Sequence, residues 1–153
     1  GKSTFARRHF AGDEILSSDA FRALVSGDAA DQRATRRAFA ILHRELVRRS
    51  TRGLLSIVDA TSLERHARRA IVRRAVAAGL PTVAIVLDVP LHTALARNRL
   101  RPGRTVEDAV VRHQRALLDG VLARDDLAGE GHALVAVLDP VAADAAIVVR
   151  RPW

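Results

Sequence analysis

The sequence predicts an α/β fold, a mainly parallel sheet flanked by helices, on three observations. First, Leu54–Asp59 (LLSIVD), Thr82–Val89 (TVAIVLDV) and Ala133–Leu138 (ALVAVL) are short, continuous and rich in β-branched residues, as strands buried on both faces are. Second, the stretches between them are arginine-rich and place apolar residues at helical spacing. Third, strand and helix alternate, which implies βαβ units and puts a ligand site beyond the carboxyl ends of the strands. At 153 residues, 48% hydrophobic and 27% charged, the chain suffices for one core and is short for two ordinary domains. One domain spanning 1–153 is expected.

The elements follow in order. In the opening GKSTFARRHF, Phe5, Ala6, His9 and Phe10 form an apolar stripe at helical spacing, so a helix starts near Gly1-Lys2. Glu14–Ser17 (EILS) reads as a short strand and Ala20–Val25 as a short helix behind Ser17, Ser18 and Asp19, all three of which suit its N-cap. Ala30–Ser50 and Leu63–Ala78 are amphipathic helices; in the second, Ala67, Ile71, Ala75 and Ala78 repeat at helical spacing. Ile147–Val149 is a final edge strand or a tail.

Composition excludes several classes. With no cysteine there are neither disulfides nor thiolate metal sites, which suits a cytoplasmic location. Pro81, Asp88 and Pro90 interrupt the best apolar run, so no membrane span is expected. A net charge of +8 suggests a polyanionic partner, although an arginine habit also reflects genome composition. Methionine is absent and residue 1 is glycine, so the chain is expected to be a piece of a longer protein.

Lys2 is the only lysine among 25 basic residues. It stands in Gly1-Lys2-Ser3-Thr4, the second half of a Walker A loop, in which backbone N–H groups cradle phosphates at a helix N-terminus, lysine bridges the β and γ oxygens and a hydroxyl binds magnesium. A compact ammonium fits between two phosphate groups where the planar fork of arginine does not. The strand before the loop and the loop's first glycine are expected upstream of residue 1, so the 153-residue piece alone is expected to bind ATP poorly and to fold marginally.

Three further groups carry chemistry. Asp19, at the carboxyl end of the second expected strand, either caps a helix or takes the proton of an acceptor hydroxyl, and Arg22 falls on its side one turn later to hold a phosphate or the reacting centre. Asp59, at the end of a buried strand, either orients magnesium through water or caps the helix near Leu63. Arg97, Arg99, Arg101 and Arg104 surround the Pro102-Gly103 turn, where P-loop kinases carry a lid whose cations stabilise the migrating phosphoryl group.

Together, "GKSTFARRHF", "ILSSDAFRALVSGDAADQRATRRAF", "LLSIVDAT", "VAIVLDVP", "RNRLRPGR" and "VVRHQ" make residues 1 to about 150 resemble the kinase domain of bacterial polynucleotide kinase-phosphatase, an RNA-repair end-healing enzyme of the P-loop kinase superfamily. The most specific element is SSD-x-x-R followed closely by DQ-x-AT. The resemblance implies that Gly1, Lys2, Ser3 and Thr4 hold ATP, with Ser3 toward Mg2+; Asp59 stays the second candidate metal residue on its position alone. It implies that Asp19 is the general base for a polynucleotide 5′-OH, that Arg22 and Gln32 contact the acceptor, and that Arg97, Arg101 and Arg104 are catalytic arginines of a lid spanning about 97–113. It also implies RNA or DNA 5′-OH ends as substrate and a metallophosphoesterase domain following in the parent chain. The family usually has Asn where Ser62 stands. Two alternatives remain open on the residues themselves: a small-molecule or toxin-like P-loop phosphotransferase, and a noncatalytic nucleic-acid-binding module.

Overall fold

The structure, a computed structural model, describes residues 1–28, 31–100 and 106–150, with the side chain of Gln32 outside the description. It is α/β, as the sequence predicts, and divides into two compact units, residues 1–60 with 138–153 and residues 61–137.

The first unit contains helix α1 (Lys2–His9), strand β1 (Ile15–Ser17), α2 (Ser18–Ser26), α3 (Thr35–Ser50) and β2 (Ile57–Asp59). β1 and β2 pair in parallel with Ile15 opposite Ile57, Leu16 opposite Val58 and Ser17 opposite Asp59. α1 rests on both strands, and α2 packs on α3. The apolar centre is Ala6, Leu16, Ala34, Ala38, Leu42 and Leu46, with Leu42 wholly buried. Ala38, Leu42 and Leu46 recur every four residues on one face of α3, the spacing that seats a helix on a core.

Both strands are shorter than the sequence suggests, because neighbouring groups take their backbone partners. The Arg49 guanidinium donates to the carbonyl of Leu55 (2.8 Å) and to Ser56 Oγ (3.1 Å), while the Leu54 N–H donates to the Arg49 carbonyl (3.1 Å). That stretch is tied to the end of α3, and β2 starts only at Ile57. Glu14 likewise belongs to the 3-10 turn Gly12–Glu14, its carboxylate accepting from the Ala11 N–H (2.9 Å) and bidentately from Arg150 (2.8 Å each). Residues 147–149 form a tail, not a strand. At the other end of α2, Gly27 takes the left-handed conformation (φ 77°) that only glycine adopts without strain, and so stops the helix.

The second unit carries α4 (Arg65–Ala77), β3 (Val83–Leu87), α5 (Leu91–Arg99) and α6 (Asp108–Ala123); β4 (Leu134–Leu138) pairs with β3. Its apolar centre is Val72, Ala75, Leu95, Val121 and Leu127. Through that centre runs a buried ion pair, Arg68 to Glu130, with bonds of 2.8 and 2.5 Å. Arg68 also donates to the carbonyls of Ser62 (3.2 Å) and Leu63 (2.5 Å). These bonds hold the chain just ahead of the helix, and α4 begins at Arg65 rather than Leu63. The sequence reads β3 and β4 as buried on both faces, yet Val83, Ile85, Leu134 and Val137 are exposed, so among the described residues the pair is only partly covered. α7 (Pro140–Ala145), capped by Asp139 Oδ1 on the Ala142 N–H at 2.7 Å, returns to the first unit. Among the described residues no helix is long and apolar enough to cross a membrane.

Candidate active site at the carboxyl ends of β1 and β2

The site forms because two strands end in register. Ser17 closes β1 and Asp59 closes β2, and the two are direct partners. β1 then runs straight into α2 and β2 into the residues before α4, both at the same end of the pair, the position where open α/β layers bind ligands.

α1 enters here. Gly1 occupies its N-cap without a side-chain bond, so the N–H groups of the first turn point outward with no intrahelical acceptor. Together with the dipole they make a site for negative charge. Lys2, at the first helical position, sends Nζ to within 3.2 Å of Asp59 Oδ1. The Asp59 side chain is 4% exposed, that of Lys2 43%. Oδ1 is buried and accepts no hydrogen bond among the described residues: the ammonium is close enough for an ion pair but lies off the hydrogen-bonding direction. Ser3 is half-buried and Thr4 exposed.

The turn after β1 resolves the two readings of its polar run. Ser17 is the cap of α2, its Oγ accepting from the Ala20 N–H at 3.4 Å. Asp19 lies inside the first turn, is not the cap, and is bonded instead by the guanidinium of Arg22 one turn on. Arg22 is buried and Asp19 partly exposed, so solvent reaches the carboxylate while its cation is held inside. Ser18, which sequence reasoning passed over except as a possible cap, is also buried. The capping reading of Asp59 fails too: α4 has Glu64 at its N-cap, with no side-chain bond, and Asp59 faces Lys2.

Lys2, Asp59 and the turn bearing Asp19 and Arg22 are thus gathered in one unit at one end of one strand pair. Gln32 lies in the 3-10 turn Gln32–Ala34 before α3, its side chain outside the description. Arg97 belongs to the second unit, exposed in the last turn of α5, whereas Arg101 and Arg104 lie outside the described residues. Beside them the structure shows a feature with no sequence signal. The Asn98 side chain bonds the Val106 backbone twice, Nδ2 donating to the carbonyl (2.6 Å) and Oδ1 accepting from the N–H (3.1 Å), while Arg99 pairs with Asp108. The end of α5 is thereby tied to the residues that lead into α6. Arg115 of α6 pairs with Asp119 and with Asp88, the residue after β3, and these carboxylates hold its pKa above the usual arginine range.

The donor set fits a nucleoside triphosphate with magnesium. It offers an ammonium and unpaired helix N–H groups for phosphate oxygens, a hydroxyl one residue on, and a buried carboxylate oxygen that lacks a directed donor and can accept from metal-bound water. Parallel strands flanked by helices, with a lysine at the entrance of a helix and acids at the strand ends, define a P-loop nucleotide-binding domain of the phosphotransferase type. A family model described as AAA domain matches residues 1–121, and the chain belongs to that family. No curated protein matches the sequence.

Proposed function

We propose that this chain is an ATP-dependent polynucleotide 5′-hydroxyl kinase. The observation that carries the reading is the meeting of Lys2 and Asp59 next to the turn that bears Asp19 and Arg22. A phosphate-binding cation and a candidate base then flank one end of one strand pair. The polynucleotide acceptor is supported by the SSDAFR and DQRAT motifs and by the +8 charge.

In this mechanism Lys2 and the N–H groups of the first turn of α1 hold the β and γ phosphates of ATP. Ser3 and Asp59 would hold Mg2+, directly or through water, and the ion would neutralise charge on the phosphate oxygens. Asp19 accepts the proton of the 5′-hydroxyl as its oxygen forms a bond to the γ-phosphorus, while the bond from that phosphorus to the β–γ bridging oxygen breaks and ADP leaves with the electron pair. Arg22 fixes the direction of the Asp19 carboxylate and serves the acceptor end. Arg97, Arg101 and Arg104 supply cations to the migrating group.

The test offers the full chain γ-labelled ATP and a panel of acceptors: a 5′-OH oligoribonucleotide, the matching DNA, its 5′-phosphorylated form, and small sugars and alcohols. Label on the 5′-OH strands alone is expected. Label on a small alcohol with none on the oligonucleotides would replace the polynucleotide reading with a small-molecule kinase.

A further inference from the structure

The first unit has a second concave feature that the proposed mechanism does not use. An open groove of about 490 Å³ lies between Gly12–Leu16 at the start of β1, Phe21 of α2 and one side of α3. Its walls are apolar at Ile15, Leu16, Phe21 and Ile41, and its rim carries Arg44 and Arg48.

The rim continues as a ridge. α3 holds five arginines against one acid, Glu45. At 3.6 residues per turn, positions 37, 44 and 48 fall within roughly 40° of arc and span about 16 Å of helix. Ile41 and Glu45, which line the groove, lie on the helix surface between this ridge and the buried stripe of Ala38, Leu42 and Leu46. Arg37, Arg44 and Arg48 are all exposed, with Arg33 before them and Arg52 after them also exposed. Glu45 is held by Arg48 through bonds of 2.8 and 2.7 Å, which pull its pKa down, so it stays ionised and offsets part of the Arg48 charge. Arg37 and Arg44 have no carboxylate partner among the described residues, and Asp13 stands at the opposite wall.

An apolar trough with an aromatic ring inside and a line of guanidinium groups along one lip matches a single nucleic-acid strand: bases lodge on the ring and the aliphatic wall, and phosphates face the cations. A folded acidic protein would meet the ridge but makes no use of the apolar wall and ring beside it. We infer that this groove and the Arg37–Arg44–Arg48 ridge bind the body of a single-stranded polynucleotide, away from the end that reacts. The inference rests on the polynucleotide kinase reading and adds where the strand is held. It makes affinity grow with acceptor length, while the reacting end is served by Asp19 and Arg22.

The experiment measures fluorescence anisotropy of 3′-labelled 5′-OH oligonucleotides of three and twelve nucleotides, from low to moderate salt. The proteins are the wild-type full chain, Arg37→Gln/Arg44→Gln/Arg48→Gln, the single variant Arg44→Gln, and Phe21→Leu. The wild type should bind the twelve-mer much more tightly than the trimer. The triple variant should lose that advantage by about tenfold or more, and its log–log salt slope should flatten by about two, roughly 0.7 for each of the three phosphate contacts removed from a single strand. Arg44→Gln and Phe21→Leu should show smaller losses in the same direction, so a triple variant that did not fold would leave the question answerable. A wild type that binds neither oligonucleotide overturns the polynucleotide reading itself. Folded variants with unchanged length dependence and salt slope overturn the groove alone. A polyglutamate peptide that displaces the twelve-mer at equal concentration assigns the ridge to an acidic protein instead, and also overturns it.

Discussion

Ser17 and Asp59 stand directly opposite one another at the last position of the β1–β2 register. That pairing joins the two halves of the candidate site. Ser17 caps the helix that carries Asp19 and Arg22, and Asp59 is the carboxylate that Lys2 reaches. Neighbouring parallel strands run about 4.8 Å apart, so Asp59 at the end of β2 and Asp19 in the first turn of α2 come to the same end of the pair although about 40 residues separate them in the chain.

Lys2→Ala should lower phosphoryl transfer by about 10²-fold or more, because a positioned cation on the transferring phosphates is removed. Lys2→Arg should restore little, since the planar guanidinium does not replace an ammonium between two phosphates. Steady-state rates with labelled ATP check both. Undiminished turnover of Lys2→Ala would dismiss the phosphate loop.

Asp19→Asn should lower transfer by about 10²- to 10⁴-fold, the usual worth of a positioned general base. Its thermal midpoint should stay close to that of wild type, because Ser17 rather than Asp19 caps α2 and the amide oxygen can still accept from Arg22. Ser17→Ala should do the reverse, costing about 1 kcal/mol of stability through the lost cap. Single-turnover rates beside thermal melts separate the two roles, and a large loss of stability in Asp19→Asn would return that residue to a structural part.

Glu130→Ala should destabilise the protein by about 3–5 kcal/mol, because Arg68 would keep a buried charge with its carboxylate partner gone. Arg68→Met combined with Glu130→Leu should recover most of the loss, since the charge itself is removed from the interior. Urea denaturation of the three proteins measures it, and a Glu130→Ala midpoint equal to wild type would show the pair to be idle.

His132 should make stability fall in mild acid. Burial holds its pKa below the ordinary 6.5, only partly countered by Glu130. Its Nδ1 lies 3.1 Å from Thr82 Oγ1, and its Nε2 is buried without a hydrogen-bond partner among the described residues. The unfolded chain therefore binds the proton more readily than the folded one. Stability is fully present above pH 6.5 and declines as pH drops below that value toward the folded-state pKa. Urea midpoints between pH 8 and pH 5 should fall less steeply in His132→Gln than in wild type; parallel profiles would remove His132 as the source.

Much of the architecture was legible in the chain. Apolar runs located the four strands found among the described residues, and the stripe of Phe5, Ala6, His9 and Phe10 located α1, whose Ala6 is buried and whose Phe5 and His9 rings lie 4.4 Å apart. The ends of the elements were less legible. Where β2 begins depends on where the Arg49 guanidinium bonds, and where α4 begins depends on Arg68 donating to two carbonyls, neither of which leaves a periodic mark in the sequence.

The sequence alone determined the periodic properties: the alternation of strands and helices, the helix start at a lone lysine, and the acids placed just after apolar runs. These follow from local spacing, which the chain carries whatever its neighbours do. Tertiary structure alone decided the partners. It assigned the cap to Ser17, turned Asp19 onto Arg22, set Asp59 against Lys2, and placed the arginine ridge of α3 beside a groove. The Ser17 cap and the Asp19–Arg22 bond are local, yet which of several polar neighbours takes each role leaves no mark in spacing. The Lys2–Asp59 pair and the groove depend on strand register and helix packing, information that enters only when distant segments meet.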